Sequence, residues 1–265
     1  MEAGFDQIKQ YWENQSTLSL KDTYLKRIEV QKIVSLIASE NSRYERALEI
    51  GCGDGEGTHE YSSRCRHLVA LDYSFTMLQK ARQQTADQDS ISLVQADVRH
   101  LPFKPSIRFD LIISERCLIN LPQKSEQEEC IRQLTHRLNP AGRFVLVEGS
   151  KQGLERLNRI RHRVGLPPIP MPWHNQFFDE SDLIPFLKPF YSILHQGSFW
   201  YYYIGSRVIQ PALIYPDEPK HDSELNRITW QVYQDLGEDF WPHLQEPFTI
   251  GQIFYLDLQK TALQP

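Results

Sequence analysis

Three glycines at 51, 53 and 55 stand between two carboxylates that could do chemistry, Glu49 and Asp72. Ala47 to Ile50 reads as a short buried strand that runs into the turn Gly51-Cys-Gly-Asp-Gly55, and a helix can begin at about Glu56. Leu68-Val-Ala-Leu-Asp72 is a second apolar strand, ending on an acid seventeen residues after Gly55. A strand, a glycine turn, a helix and a strand ending in an acid form one half of a nucleotide-binding unit. The glycines let a ligand approach the backbone closely, because no Cβ stands in the way. The acid at 72 is placed to accept hydrogen bonds from both hydroxyls of a ribose. A dinucleotide fingerprint would need its third glycine at position 56, to seat a pyrophosphate at the helix start. Position 56 is Glu, and Glu49, Asp54 and Glu56 together would repel a diphosphate. These acids suit a ligand that has a ribose and a positive charge.

S-adenosylmethionine has both, with a sulfonium and an ammonium. The run Glu49-x-Gly51-x-Gly53-x-Gly55 resembles the first motif of class I S-adenosylmethionine-dependent methyltransferases. The resemblance spans roughly residues 45–150. It implies that S-adenosyl-L-methionine is the cofactor, that Asp72 is the ribose-binding acid with Tyr73 beside it, and that Glu49, Gly51, Gly53 and Gly55 belong to the same site. In Gln95-Ala-Asp97-Val98, it implies an Asp97 that contacts the adenine amino group and a Val98 that packs on the ring. Asp97 read by itself is equally a helix N-cap.

Phe109-Asp-Leu-Ile-Ile-Ser114 is a strand whose exit, Ser114-Glu115-Arg116, should face the methyl-donor site, because ligands bind at the carboxyl ends of parallel strands. It departs from the Asn/Asp-Pro-Pro-Tyr form of the related nucleic-acid and protein-amide N-methyltransferases, which argues against a base or amide nitrogen as acceptor. Methyl transfer is an in-line displacement at a sulfonium carbon. The protein must align the nucleophile, exclude water and take a proton if the acceptor is a hydroxyl. The candidate bases are His174, Glu148 and Glu115. His174 lies in a proline-stiffened loop that can fold over the strand ends, and imidazole titrates near neutral pH. It can equally serve only to shape the pocket. The expected activity is O-methylation of a hydroxyl on a small molecule, a sugar or secondary metabolite. N- or C-methylation is the alternative, with an aminopropyl transferase or a non-catalytic cofactor-binding protein behind it.

These residues need a scaffold that brings strand ends together. From 46 to 149 short apolar runs alternate with amphipathic helices. Strands are predicted at 46–51, 67–72, 91–95, 109–114 and 142–148, with helices at about 56–64, 74–86 and 123–138. This pattern means a parallel sheet with helices on both faces. The predicted fold is α/β, a doubly wound seven-stranded sheet, mostly parallel with an antiparallel last strand at about 251–258. Residues 1–45 read as a helical lid of two helices, Phe5 to Asn14 and one capped by Asp22. Residues 46–150 form the cofactor-binding core. Residues 151–265 hold a basic helix (Lys151 to Val164), a short helix (Asp179 to Leu187) and the rest of the sheet, with a substrate-binding insertion at about 209–249. Tyr191 to Leu194 and Phe199 to Val208 read as extended, the latter carrying Trp200 to Tyr203.

Length, 265 residues, fits one large domain or one with an insertion. A net charge of -5 disfavours a nucleic-acid partner. No apolar run reaches the roughly 20 residues of a membrane span, and the N-terminus lacks a signal-peptide pattern. Four cysteines without a C-x-x-C pair read as reduced thiols in a cytoplasmic protein. No metal-ligating spacing stands out, and the oligomeric state is left open.

Overall fold

A computed structural model describes residues 4–14, 20–38, 43–236 and 250–261. Seven strands form one sheet in the order β3-β2-β1-β4-β5-β7-β6. They are β1 (Tyr44–Ile50), β2 (Cys65–Asp72), β3 (Ile91–Gln95), β4 (Phe109–Glu115), β5 (Leu138–Gly149), β6 (Tyr191–Ser198) and β7 (Ile253–Lys260). The first five pair in parallel. β7 inserts between β5 and β6, antiparallel to both. The chain reverses its direction of travel across the sheet between β1 and β4, and a crevice opens there beyond the strand ends.

Both faces of the sheet are covered, so its central strands are apolar on both sides. On one face Leu48, Ile50, Ile112, Phe144 and Leu146 pack with Ile131 and Leu134 of α5 (Lys124–Arg137) and Leu183 and Leu187 of α7 (Glu180–Leu187). On the other, Ala47, Leu111, Ile113, Val145 and Val147 meet Ile28, Ile33 and Ile37 of α2 (Thr23–Ala38) and Leu157 of α6 (Lys151–Arg163). α3 (Glu56–Ser62) and α4 (Phe75–Gln84) follow the first two strands. Arg143 and Asp257 form a fully buried pair across β5 and β7, and the guanidinium also donates to the Leu36 carbonyl at the end of α2.

The N-terminal helices part company. α1 (Phe5–Glu13) lies at the crevice, with Glu13 accepting from the backbone N–H groups of Phe75 and Thr76 at 2.9 and 3.2 Å. α2 is instead a core helix, and only its first two turns reach the crevice. Asp22 caps it as expected, accepting from Leu25 N–H at 3.1 Å.

Two expectations about elements change. β5 begins at Leu138 and runs through the Asn139–Gly142 turn, with Ala141 at φ 59. The stretch after β6 is helical rather than extended. α8 (Trp200–Ile204), a π-helical turn (Gly205–Ile209) and α9 (Gln210–Ile214) run without a break. Four consecutive aromatics fit either period. Burial decides, because Phe199, Tyr202 and Tyr203 share one helical face and all are fully buried. The predicted helical insertion contains α10 (Glu224–Leu236), and its remainder at 237–249 lies outside the described residues. Among the described residues no helix is long and apolar enough to cross a membrane, and no cluster of His, Cys, Asp or Glu could hold a metal ion.

Candidate active site

The glycine turn after β1 folds as the sequence requires. Gly51, Gly53 and Gly55 have φ of 67, 53 and 86°, a region open to glycine and costly for other residues. Asp72 closes the turn from the neighbouring strand. Its Oδ2 accepts from Gly53 N–H at 2.9 Å and its Oδ1 from Ser74 N–H at 2.8 Å. Each oxygen keeps a lone pair. Burial raises the Asp72 carboxyl to about 6.

A cavity of about 340 Å³ opens over this turn. Gly51, Gly53, Asp72, Tyr73, Asp97 and Val98 line one half. Tyr73 ties α1 down, its hydroxyl donating to the Ile8 carbonyl at 3.3 Å and its ring lying 5.7 Å from that of Phe5. Asp97 binds Arg99 through both carboxylate oxygens, at 2.7 to 3.1 Å. Burial opposes ionisation there, but Arg99 prevails and holds the carboxyl below its ordinary range. The donor set fits a nucleoside with a positively charged tail. It offers a strand-end carboxylate with spare lone pairs, a second carboxylate, an apolar Val98 and a backbone free of side chains at 51 and 53.

The other half is built from distant segments. Lys26 Nζ meets Glu115 Oε1 at 2.8 Å, and Tyr61 donates to Glu115 Oε2 at 2.8 Å. Arg116 grips Glu29 of α2 with two bonds of 2.8 and 2.6 Å. Its φ of 53° is left-handed, which strains a non-glycine residue. Four bonds hold it there: the two to Glu29, its N–H to the Val147 carbonyl, and its own carbonyl accepting from Asn120 Nδ2 at 2.7 Å. Asn120 in turn accepts from Trp12 Nε1 at 3.1 Å. Asp22 accepts from Arg207 at 2.5 Å and Tyr202 at 2.7 Å. His174 stacks on Tyr11, with ring centroids 4.5 Å apart, and Trp12 and Trp173 stand edge-on to it. Among the described residues its Nδ1 is buried without a partner, and burial lowers its pKa, which favours the neutral ring.

Among the candidate bases, His174 and Glu115 line the cavity and Glu148 does not. Glu148 is fully buried at the end of β5. It accepts from Ser114 Oγ at 2.5 Å and from the backbone N–H groups of Cys117, Leu118 and Ile119 at 3.0 to 3.2 Å. Burial raises it to about 7. It anchors the turn that follows β4, and no substrate proton can reach it. Ser114 is its donor, turned away from the cavity. Glu49 and Gly55 also lie outside the cavity wall. Glu49 is buried beneath the turn, where burial pushes it up to about 8. Gly55 is needed for packing, since a Cβ there would stand 2.7 Å from the Ala81 backbone.

Sequence reasoning missed Lys26, Asn120, Arg207 and the wall formed by Tyr11 and Trp12. Tyr11 and Trp12 carried a signal, two aromatics on a helix ahead of the first strand. Arg207 carried none, because its segment was read as a strand.

Comparison with known proteins agrees with the fold and the glycine turn. Residues 47–142 match the family model of a methyltransferase domain. The chain is 30% identical over 149 residues to a demethylmenaquinone methyltransferase of Clavibacter sepedonicus, covering 56% of this chain and 57% of that protein. It is 32% identical over 122 residues to the ubiquinone/menaquinone biosynthesis C-methyltransferase UbiE of Vibrio parahaemolyticus serotype O3:K6, covering 44% and 46%. The chain thus spans about half the length of the curated relatives it matches. The structure of N-methyltransferase NodS from Bradyrhizobium japonicum WM9 with S-adenosyl-L-homocysteine superposes with a TM-score of 0.61 at 16% identity, over 97% of this chain and 98% of that one. The [4+2]-cyclase SpnF superposes with a TM-score of 0.56 at 15% identity, over 87% and 81%, so the fold alone does not name a reaction. The strand order and the glycine turn closed by Asp72 are thus similar to those of class I S-adenosylmethionine-dependent methyltransferases, and residues 47–142 match a methyltransferase domain.

Proposed function

We propose that the protein transfers a methyl group from S-adenosylmethionine to a small-molecule acceptor, at a hydroxyl. One observation carries this reading. A single cavity joins the glycine turn and Asp72 to a second half lined by Lys26, Glu115, Arg116 and His174, so donor and acceptor can share one enclosure beneath α1. When bound, the cofactor supplies an electrophilic methyl on a sulfonium.

The protein's own residues bind and orient. Asp72 receives the ribose hydroxyls on its spare lone pairs, and Asp97 and Val98 flank the base. Gly51 and Gly53 keep the backbone approachable. α1 excludes water, fastened at Tyr73 and Asn120. A hydroxyl acceptor must shed its proton. Glu115 is the carboxylate that receives it in this reading, with Lys26 and Tyr61 holding it in place. His174 shapes the wall instead. An N–H buried without an acceptor is disfavoured. The unpartnered Nδ1 therefore carries the lone pair, and Nε2 carries the proton. In that tautomer the ring is a donor that orients the acceptor.

C-methylation is a second reading. It is supported by the name of the Vibrio relative and by the aromatic wall of Tyr11 and His174, which suits a planar ring.

Calorimetry tests the first step. S-adenosylmethionine and S-adenosylhomocysteine are expected to bind in the low-micromolar range, about -8 kcal/mol, and NAD is not. Tight NAD binding without S-adenosylmethionine binding would overturn the reading. Labelled cofactor incubated with fractionated host extract then locates the methyl. A methyl ether supports the hydroxyl reading, and a new carbon–carbon bond replaces it with the second.

A further inference from the structure

The acceptor half has a charge pattern that methyl transfer as such does not require. Four cationic side chains, Lys21, Lys26, Arg116 and Arg207, line it together with two carboxylates, Asp22 and Glu115. Glu29 sits behind Arg116 as its partner. Three of the cations spend only part of their donors on these acids. Lys26 gives one bond to Glu115, Arg116 uses Nε and Nη2 on Glu29, and Arg207 gives Nη2 to Asp22. Among the described residues nothing else takes up Arg116 Nη1 or the other Arg207 nitrogens, and guanidinium groups bind oxyanions in a forked geometry.

The two arginines come from separate elements. Arg116 is thrust into the cavity by its left-handed backbone, and such strain is kept where surrounding structure enforces it at functional sites. Arg207 sits on the π-helical turn, an irregularity that is frequent at functional sites. Tyr203 lies against both ion pairs, fully buried, and its hydroxyl has no hydrogen-bond partner among the described residues. The cofactor brings one carboxylate of its own, and three partly used cations leave donors for a second anion. A neutral acceptor would desolvate those donors without satisfying them.

We propose that the acceptor carries an oxyanion group, a carboxylate or a phosphate, that docks between Arg116 and Arg207 and so holds its nucleophile toward the methyl. This rests on the methyltransferase reading above.

The test uses the full chain saturated with S-adenosylhomocysteine. Benzoate and phenyl phosphate are titrated beside their uncharged counterparts, benzamide and phenol. At least one anion is expected to bind about 10-fold or more tighter than its neutral counterpart, the range of a charge-assisted hydrogen bond. Which anion binds better distinguishes carboxylate from phosphate. Arg207→Gln is expected to remove about 10-fold of that affinity. Asp22→Asn, which keeps a good helix cap while removing the competing carboxylate, is expected to strengthen anion binding several-fold. A variant that merely damaged the site could not do so. S-adenosylhomocysteine affinity is expected to stay within about 2-fold in both. Absence of anion binding, equal binding of charged and neutral compounds, or an Asp22→Asn variant that weakens anion binding would each overturn the proposal. Failure of S-adenosylhomocysteine to bind wild type would fall on the underlying reading instead.

Discussion

On the side of the cavity proposed for the cofactor, Gly51, Gly53, Asp72, Asp97 and Val98 all come from one continuous stretch of chain, at the ends of β1, β2 and β3. On the side proposed for the acceptor, Tyr11, Asp22, Lys26, Glu115, His174 and Arg207 come from five separate segments. The first half is made mainly by backbone: glycine turns, strand ends and a carboxylate that caps N–H groups. The second is made by side-chain pairs that bridge elements far apart in sequence, Lys26 to Glu115, Glu29 to Arg116 and Asp22 to Arg207. A backbone-built site tolerates little variation and leaves a motif. A site built from distant pairs can change its ligand by changing one pair, and leaves none.

Substitutions can break this division or sharpen it. The largest effect is expected at Asp72. Asp72→Ala removes charge-assisted bonds worth roughly 1.5–3 kcal/mol, so cofactor affinity should fall about 10- to 150-fold in a folded protein. Calorimetry that finds an unchanged dissociation constant would remove Asp72 from the site. A pH series adds a second check. Burial raises this carboxyl to about 6, so it is ionised at neutral pH and takes up a proton as the pH falls through that value. Cofactor affinity should weaken over the same interval in wild type and lose that dependence in Asp72→Asn.

Next comes Glu148, which belongs to neither half. Glu148→Gln replaces one of the two accepting oxygens with an amide donor, which faces the Ile119 N–H when the remaining oxygen keeps Ser114, Cys117 and Leu118. It should cost about 1–3 kcal/mol of stability in urea unfolding, with turnover of the folded fraction largely retained. Loss of turnover at undiminished stability would return Glu148 to the catalytic machinery.

His174 tests the acceptor half alone. As a wall residue stacked on Tyr11, its replacement by Ala should raise the acceptor KM by about tenfold and change kcat by less than that. A fall in kcat of about 100-fold at constant KM would make it the base.

The smallest effect is expected at Asp22, in acid. Burial works against its ionisation, but His221, Arg207, Tyr202 and the Leu25 N–H outweigh it and hold the carboxyl well below the usual range. A carboxyl lowered by folding stabilises fully above its unfolded value of about 3.9 and loses that contribution as pH falls below it. The stability difference between wild type and Asp22→Asn should be about 1 kcal/mol near neutrality and shrink steadily below pH about 4. A difference that stayed constant into acid would mean that the ion pair with Arg207 contributes nothing.

The sequence by itself determined the sheet and the glycine turn that Asp72 closes. Alternating apolar runs and amphipathic helices over 46–149 permit little besides a parallel sheet covered on both faces, and the glycines before Asp72 permit only a turn that no larger residue could follow. Residues 200–203 were not legible, because a run of aromatics satisfies both periods, and only the buried face between sheet and helix selects the helix. Ser114 and Glu148 read as site residues because they stand at strand ends, and Glu49 because it opens the glycine motif. Tertiary structure decided otherwise. Side chains at a strand end alternate in direction, and which of them meets the cavity depends on the turn that follows. Glu115 and Arg116 were drawn in by Lys26 and Glu29 of α2, while Glu148 was taken up by three backbone N–H groups. The acceptor half is long-range electrostatics between segments that share no local pattern, so it comes into being only when the chain closes.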